Sequence, residues 1–403
     1  MNPLSRLDIP LTGLVGDVLR LGLAWIAKDV DREEDLRAET VGDILSNALT
    51  RLSDKIEGGF SSKLSRNDRE SIERTFTSWY GTLNATRYLE LFEEAIKEAV
   101  KLLQRDKIDP QSALFEIKEE KNKLILGREY NDYYAILPAI LKQPEYYECH
   151  TEYLKPTAGR KASIKLDPLW MSIMGLGFLT SFAGYRGGSY YLITKPGVEA
   201  LYDNPRKMED LLDDLEAFTT AVQESHATME SEEIYELKLS IWLAKEGRMI
   251  KEEHYPFQLH LISLMGQVYT ATKTVEIDLR ELQDYMMNYV RRVSGLKEKG
   301  YNITIDTKTQ TGIYPLEALI DLAGRELDPR NRLSGDNEML TYIMVKDIYR
   351  AICSGNRKLM EETLFRTFRH ARGLIAGDTK VDGWYKAVMA KFIWDKHLEA
   401  LQI

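Results

Sequence analysis

Apolar residues recur at helical spacing through most of the first 110 positions. The strongest run predicts a helix over 84–103, where Tyr88, Leu89, Phe92, Ala95, Ile96, Ala99, Val100 and Leu103 share a face and Glu and Lys fall between them. A second amphipathic helix is predicted over 11–27, with Leu11, Leu14, Val15, Val18, Trp25 and Ile26 on or near one side. Asp17 and Arg20 interrupt that segment. It is therefore neither the apolar run of about 18–20 residues that spans a bilayer nor the apolar core of a signal peptide. Asp109-Pro110 marks a break, because a residue before proline avoids helical dihedrals.

Beyond position 110 the pattern changes. Residues 113–126 predict a hairpin, with Leu114, Phe115 and Ile117 leading to a polar turn at Glu119-Glu120-Lys121-Asn122, then Leu124, Ile125 and Leu126. Short strands are expected at 163–166 and 190–193, with a buried helix at 168–182 between them. Helices follow at 206–222 and 230–245. The run 257–277 suits a strand or a helix equally well. Asp278 and Glu281 resemble a capping box opening a helix that continues through Val293. Three more helices are expected at 337–353, with Gly355 as its C-cap, at 358–375 before Gly377, and at 381–401. The whole pattern predicts a predominantly helical α+β fold. It divides into a helical region 1–110, a mixed α/β region 111–300 and a helical bundle 301–403.

Composition narrows the function classes. At 403 residues the chain can bury a core without disulfides or metals. Its two cysteines, Cys149 and Cys353, cannot build a disulfide framework or a zinc cluster, which suits a reducing cytoplasm. A net charge of −9 excludes a globally basic nucleic-acid binder but not a local basic face. Such a face is written near the end, where residues 341–403 hold 11 Lys or Arg against 7 Asp or Glu. Arg366, Arg369 and Arg372 recur every third residue, and Arg357, Lys358 and His370 extend that polar side. Leu364, Phe365, Phe368 and Ala371 are expected to form the buried side. The stripe suits a sugar-phosphate backbone, and equally a solvated helix face paired to Glu361 and Glu362. Arg291 and Arg292, with Lys297 and Lys299, form a second cluster.

Strong catalytic signatures are missing: no P-loop, no HExxH, no GxSxG and no kinase set. The six histidines (150, 226, 254, 260, 370 and 397) show no helical metal-site spacing, so neither a metal nor a cofactor is expected. Asp109 followed by Glu116-Ile117-Lys118 resembles the D…ExK arrangement of divalent-metal nucleases, though ExK also occurs at Glu119-Glu120-Lys121 and Glu236-Leu237-Lys238. In Gly184-Tyr185-Arg186-Gly187-Gly188-Ser189, the glycines would let backbone N–H groups approach a phosphate while Arg186 adds charge. The same residues also read as a turn into the following strand. Gly175-Leu176-Gly177 reads as close helix packing, because no strand leads into it as a nucleotide fingerprint requires.

The stretch 167–193, DPLWMSIMGLGFLTSFAGYRGGSYYLI, resembles the large subunits of archaeal type I-A CRISPR Cascade complexes. The shared features are a polar start, the GLG segment, the Gly-rich loop and the YYLI strand. Residues 349–356, YRAICSGN, followed by 364–372, are similar to the helical ends of such subunits, where a Gly-containing turn joins two helices and the second bears Arg. One departure is that large subunits of some related subtypes carry a cysteine zinc site, which this chain lacks the cysteines to form. The resemblance implies a non-enzymatic role in antiviral defence at the crRNA 5′ end. That role is to inspect the protospacer-adjacent motif in duplex DNA, help open the duplex and recruit the helicase–nuclease. Its implied partners are crRNA, target DNA and the backbone, small and crRNA-end subunits, with no membrane. On this reading the nucleic-acid contacts are Arg186, Gly187, Gly188, Arg291, Arg292, Arg357, Lys358, Arg366, Arg369 and Arg372. The alternatives are a nuclease using Asp109, Glu116 and Lys118, and a helical scaffold without nucleic-acid contact.

Overall fold

The computed structural model describes residues 1–58, 63–120, 123–142, 163–225, 229, 231–266, 268–306, 311–327, 340–376 and 383–402. The chain is a predominantly helical α+β protein, with two four-stranded sheets among the described residues. It divides into two compact units, Met1–Thr219 with Pro256–Glu276, and Thr220–Tyr255 with Ile277–Ile403. These limits differ from the three sequence regions, since 220–255 and 277–300 fall with the C-terminal helices.

The first unit opens with α1 (Gly13–Ala27), α2 (Ala38–Gly58), α3 (Arg66–Trp79), α4 (Tyr88–Gln104) and α5 (Pro110–Phe115). Helix α4 starts four residues later than its apolar pattern. The Glu94 carboxylate accepts the N–H groups of Asn84 and Ala85 at 3.1 and 2.8 Å, which holds them outside the helix. At the predicted break, the Asp109 carboxylate accepts the Ser112 N–H at 3.3 Å and Pro110 takes the first helical position. The proline therefore starts a short helix, which draws Leu114 and Phe115 out of the expected hairpin.

The hairpin itself is β1 (Ile117–Glu120) and β2 (Lys123–Leu126), with Ile117 opposite Leu126. With β3 (Ala135–Ile136) and β4 (Ser163–Leu166) it forms a sheet in the order β1-β2-β4-β3, in which β2 and β4 run parallel. Helix α6 (Pro168–Ser181) follows, N-capped by the Asp167 carboxylate, which accepts the Trp170 N–H at 2.7 Å. Every residue of α6 is buried. It crosses α1 at two glycines. A Cβ on Gly22 would lie 1.9 Å from the Ile173 carbonyl oxygen, and one on Gly177 would lie 1.7 Å from that of Val18. The GLG segment thus serves close helix packing, as expected, but not for the expected reason. Strand β4 does lead into α6, and the glycines lie two turns inside the helix, away from the strand–helix turn where a nucleotide fingerprint sits.

The second sheet, β5-β6-β7-β8, contains β5 (Phe182–Arg186) and β6 (Ser189–Thr194), followed after helix α7 (Pro205–Glu224) by β7 (Phe257–Met265) and β8 (Val268–Ile277). The ambiguous run 257–277 is therefore a pair of strands. His260 helps to fix it, because its ring nitrogens lie 3.0 Å from Thr194 Oγ1 on β6 and 3.1 Å from Thr274 Oγ1 on β8.

The second unit contains α8 (Glu232–Lys245), α9 (Arg280–Glu298), α10 (Pro315–Leu327), α11 (Leu340–Cys353), α12 (Arg357–Ala376), α13 (Gly383–Phe392) and α14 (Asp395–Ala400). Helix α8 is buried over most of its circumference. The capping box expected at Asp278 does not form. The Asp278 carboxylate instead accepts the backbone N–H of Arg280 at 3.1 Å and its guanidinium, and Leu279 is the N-cap. Gly355, at φ 58°, does follow the end of α11, whereas Gly377 lies outside the described residues. The single helix expected over 381–401 is divided by an extended Trp394 (φ −66°, ψ 132°). His397 Nδ1 lies 2.7 Å from the Phe392 carbonyl oxygen, so that the end of α13 is bonded by a side chain of α14. Among the described residues no helix is long and apolar enough to cross a membrane.

Candidate nucleic-acid interface

Arg186 and Ser189 pair across a two-residue turn made of Gly187 and Gly188, with φ of 57° and 85°. A type I′ hairpin turn needs positive φ at both positions, which accounts for both glycines. A Cβ on either would meet nothing within 4 Å, so the turn is open to solvent. Arg186 stands at its base, its guanidinium 5.6 Å from the Tyr191 ring centroid. Ser189 pairs with Ser263 on β7, their hydroxyls 2.6 Å apart. This register puts the β5–β6 and β7–β8 turns at the same end of the sheet. There Leu264 and Met265 are 50% and 62% exposed. The end of the sheet thus offers one guanidinium, a row of hydroxyls and an apolar tip.

Helix α12 carries the arginine stripe on a face different from the one expected. Its buried side is Met360, Thr363, Thr367 and Ala371, not Leu364, Phe365, Phe368 and Ala371. The threonines bury at little cost because the Thr367 hydroxyl donates to the Thr363 carbonyl at 2.8 Å. Phe365 is consequently 55% exposed. At about 100° per residue, Arg372, Phe365, Lys358 and Arg369 fall within about 60° of one another. The Arg369 guanidinium lies 4.4 Å from the Phe365 ring centroid, and that of Arg372 5.2 Å from Phe368. Arg366 faces the flank towards α11, where it donates to Asp347 at 2.7 Å. Arg357 and Lys358 are exposed in the first turn, with Lys358 3.9 Å from Glu362. His370 turns inward, 3.3 Å from the Tyr385 hydroxyl, rather than extending the polar side. Beside the stripe, Arg357, Met360, Glu361, Leu364, Phe365 and Phe368 of α12, with Leu398 and Gln402, line a groove of about 440 Å³.

The second cluster is partly structural. Arg292 donates to the carbonyls of Ala400, at 3.2 Å, and Gln402, and the Tyr285 hydroxyl donates to that of Leu401 at 2.6 Å. Together they satisfy the carbonyls at the end of α14. Lys297 lies over the Tyr314 ring at 5.1 Å, and Arg291 is exposed on the same helix.

The model of one protein family, described as CRISPR-associated protein (Cas_Csx9), matches residues 23–402. This chain belongs to that CRISPR-associated family. No curated protein and no solved structure matches it. In this Cas_Csx9 chain the exposed Phe365 and the half-buried Phe368 are the residues that sequence reasoning misplaced. The usable signal was the Thr363/Thr367 pair, four residues apart on one face, whose hydroxyls can be satisfied within the helix: that of Thr367 donates to the Thr363 carbonyl, and that of Thr363 accepts from Arg366 at 3.3 Å.

The nuclease-like residues of the Cas_Csx9 chain are engaged in other contacts. Asp109 caps α5 and binds the Ser112 hydroxyl. Glu116 bonds both Lys118 and Arg128, which hold its carboxyl below the usual carboxylate range. Among the described residues no three His, Cys, Asp or Glu side chains are grouped to hold a metal ion. Of the cysteines, Cys149 lies outside the described residues. Cys353 is half-buried beside Tyr349, and burial pushes its thiol up to about 11.

Proposed function

We propose that this chain is a non-catalytic nucleic-acid-binding subunit of a CRISPR type I-A interference complex. It would contact crRNA and target DNA and inspect the protospacer-adjacent motif alongside the other Cascade subunits and the helicase–nuclease. Family membership supports the CRISPR association. The observation that carries the binding role is the outward face of α12. On a chain of net charge −9, this helix concentrates five Lys or Arg against two Glu and sets two guanidiniums over exposed or half-exposed rings. Phosphate contacts of this kind give affinity and salt dependence without sequence information.

The test is the triple variant Arg366→Gln, Arg369→Gln, Arg372→Gln, titrated with nucleic acid over a range of salt. Each phosphate contact on duplex DNA adds about 0.9 to the salt slope. Asp347 already occupies Arg366, so the slope should fall by about 2 rather than 3, with affinity reduced for every sequence alike. Wild-type affinity and slope in the variant would overturn the reading. The purified wild-type chain, incubated with DNA and RNA in magnesium or manganese, should leave both intact. Cutting that disappears in Glu116→Ala would favour the nuclease instead.

A further inference from the structure

We propose that the groove beside α12 is a stacking site for an unpaired base of single-stranded DNA, with Phe365 as the platform. This rests on the nucleic-acid reading above and specifies the form of nucleic acid that the surface accepts.

The argument starts from the burial of Phe365. A phenylalanine more than half exposed on a helix whose core face is closed by threonines contributes little to folding, yet it is not surrounded by solvent alone. One guanidinium covers part of the ring at 4.4 Å, and Phe368 beside it is paired in the same way with Arg372. An aromatic ring and a cation side by side form the combination that binds single strands. The ring takes a base face, and the cation takes the adjoining phosphate or extends the stack.

The groove walls favour a base as the group that enters. Met360, Leu364, Phe365, Phe368 and Leu398 line most of it, and the volume of about 440 Å³ lies within the ~300–1,000 Å³ typical of small-ligand sites. Its polar lining is Arg357, Glu361 and Gln402: the Glu361 carboxylate can accept from an exocyclic amino group, Gln402 can pair with a base edge, and Arg357 can take the phosphate of the same nucleotide. The phosphates then run along Arg369, Arg372 and Lys358, which share the outward face. A duplex cannot satisfy this arrangement, because its bases are stacked on one another and closed to a side chain. The apolar walls also favour deoxyribose, since a 2′-hydroxyl brought against them would lose its hydrogen bonds to water.

The experiment uses the full chain and a short single-stranded DNA containing 2-aminopurine, whose fluorescence falls when it stacks. The same sequence as duplex DNA and as single-stranded RNA serves for comparison. The wild type should quench the probe and bind the DNA single strand more tightly than either comparison. Phe365→Ala should abolish the quench and weaken single-strand binding about tenfold, a larger loss than duplex DNA shows. Phe365→Trp should retain both quench and affinity. An unchanged melting temperature in Phe365→Ala would confirm that an exposed ring, not the core, was removed.

Salt-dependent binding with an undiminished quench in Phe365→Ala would overturn the stacking site and leave the nucleic-acid reading intact. Equal losses for single strand and duplex, or tighter binding of the RNA strand, would overturn it too. If no nucleic acid is bound in any form, the broader reading falls and the groove becomes a protein-docking face.

Discussion

His397 shows how much a single side chain can fix. The Phe392 carbonyl can only accept, so Nδ1 carries the ring proton; Nε2 then accepts from the Tyr289 hydroxyl at 2.9 Å. The Tyr289 oxygen in turn accepts the Leu316 N–H at 3.3 Å. Burial holds the imidazole down to about 4, against ~6.5 for a free one. As pH falls, the unfolded chain takes up the proton first. The stability contributed by the neutral ring is therefore complete above about pH 6.5, and is lost as pH drops towards 4. Glu236, pushed up to about 7 by burial, responds in the opposite sense, so the clean readout is a difference. The stability lead of the wild type over His397→Phe should be constant above pH 7, shrink by up to ~1.4 kcal/mol per pH unit below 6.5, and level off below about 4. Denaturant melts at several pH values measure it, and a lead independent of pH would show that the ring does not titrate as argued. Arg186 poses a different question at the same scale. Its turn is built by the glycines, so Arg186→Ala should preserve the hairpin yet weaken binding of the target duplex in a reconstituted complex by ~1–3 kcal/mol if the guanidinium reads a base edge. Unchanged affinity would leave Arg186 as a surface partner of Tyr191.

Between elements, the sharpest constraint is the crossing of α1 and α6. Gly22→Ala would drive a methyl group against the Ile173 carbonyl of a closed core, and should destabilise the fold by ~3 kcal/mol or more. Gly324→Ala on α10 meets nothing within 4 Å and should stabilise by ~0.5–1 kcal/mol through helix propensity alone. Urea titrations of both variants compare the two signs directly, and a neutral Gly22→Ala would mean that the helices can separate freely. That Gly175-Leu176-Gly177 serves close helix packing was legible in the sequence, because a buried apolar run with small gaps admits few other uses; its partner, Gly22 of α1, lies too far along the chain for any local pattern to name. Helix α4 was legible because its periodicity is unbroken. The divided C-terminal helix was not, because the break is held by His397 reaching back to Phe392, a contact that no local pattern records. Nor was the true face of α12. Hydrophobicity assigned Phe365 and Phe368 to the core, whereas two internally bonded threonines took those positions and left the rings for the groove. The parallel pairing of Lys123 with Ser163 joins strands forty positions apart, beyond the reach of any window reading.

Across the whole molecule, charge is unevenly shared. A chain of net charge −9 that carries a cationic helix should be retained both by an anion exchanger at neutral pH and by heparin at low salt. The variant with Gln at 366, 369 and 372 should leave heparin earlier and the anion exchanger later, and identical elution from both would show that α12 does not govern the polyanion affinity. The glycines of the first unit, finally, carry a meaning for descent. Gly22 and Gly177 are locked to each other through two carbonyl contacts, so a lineage that enlarges one must move a whole helix. Gly187 and Gly188 answer only to the sign of φ, which Asn-Gly would meet as well. Family members should therefore keep the first pair together and vary the second freely. A shared GLG segment would then record inherited architecture, and kinship read from it would not reveal which ligand a member holds.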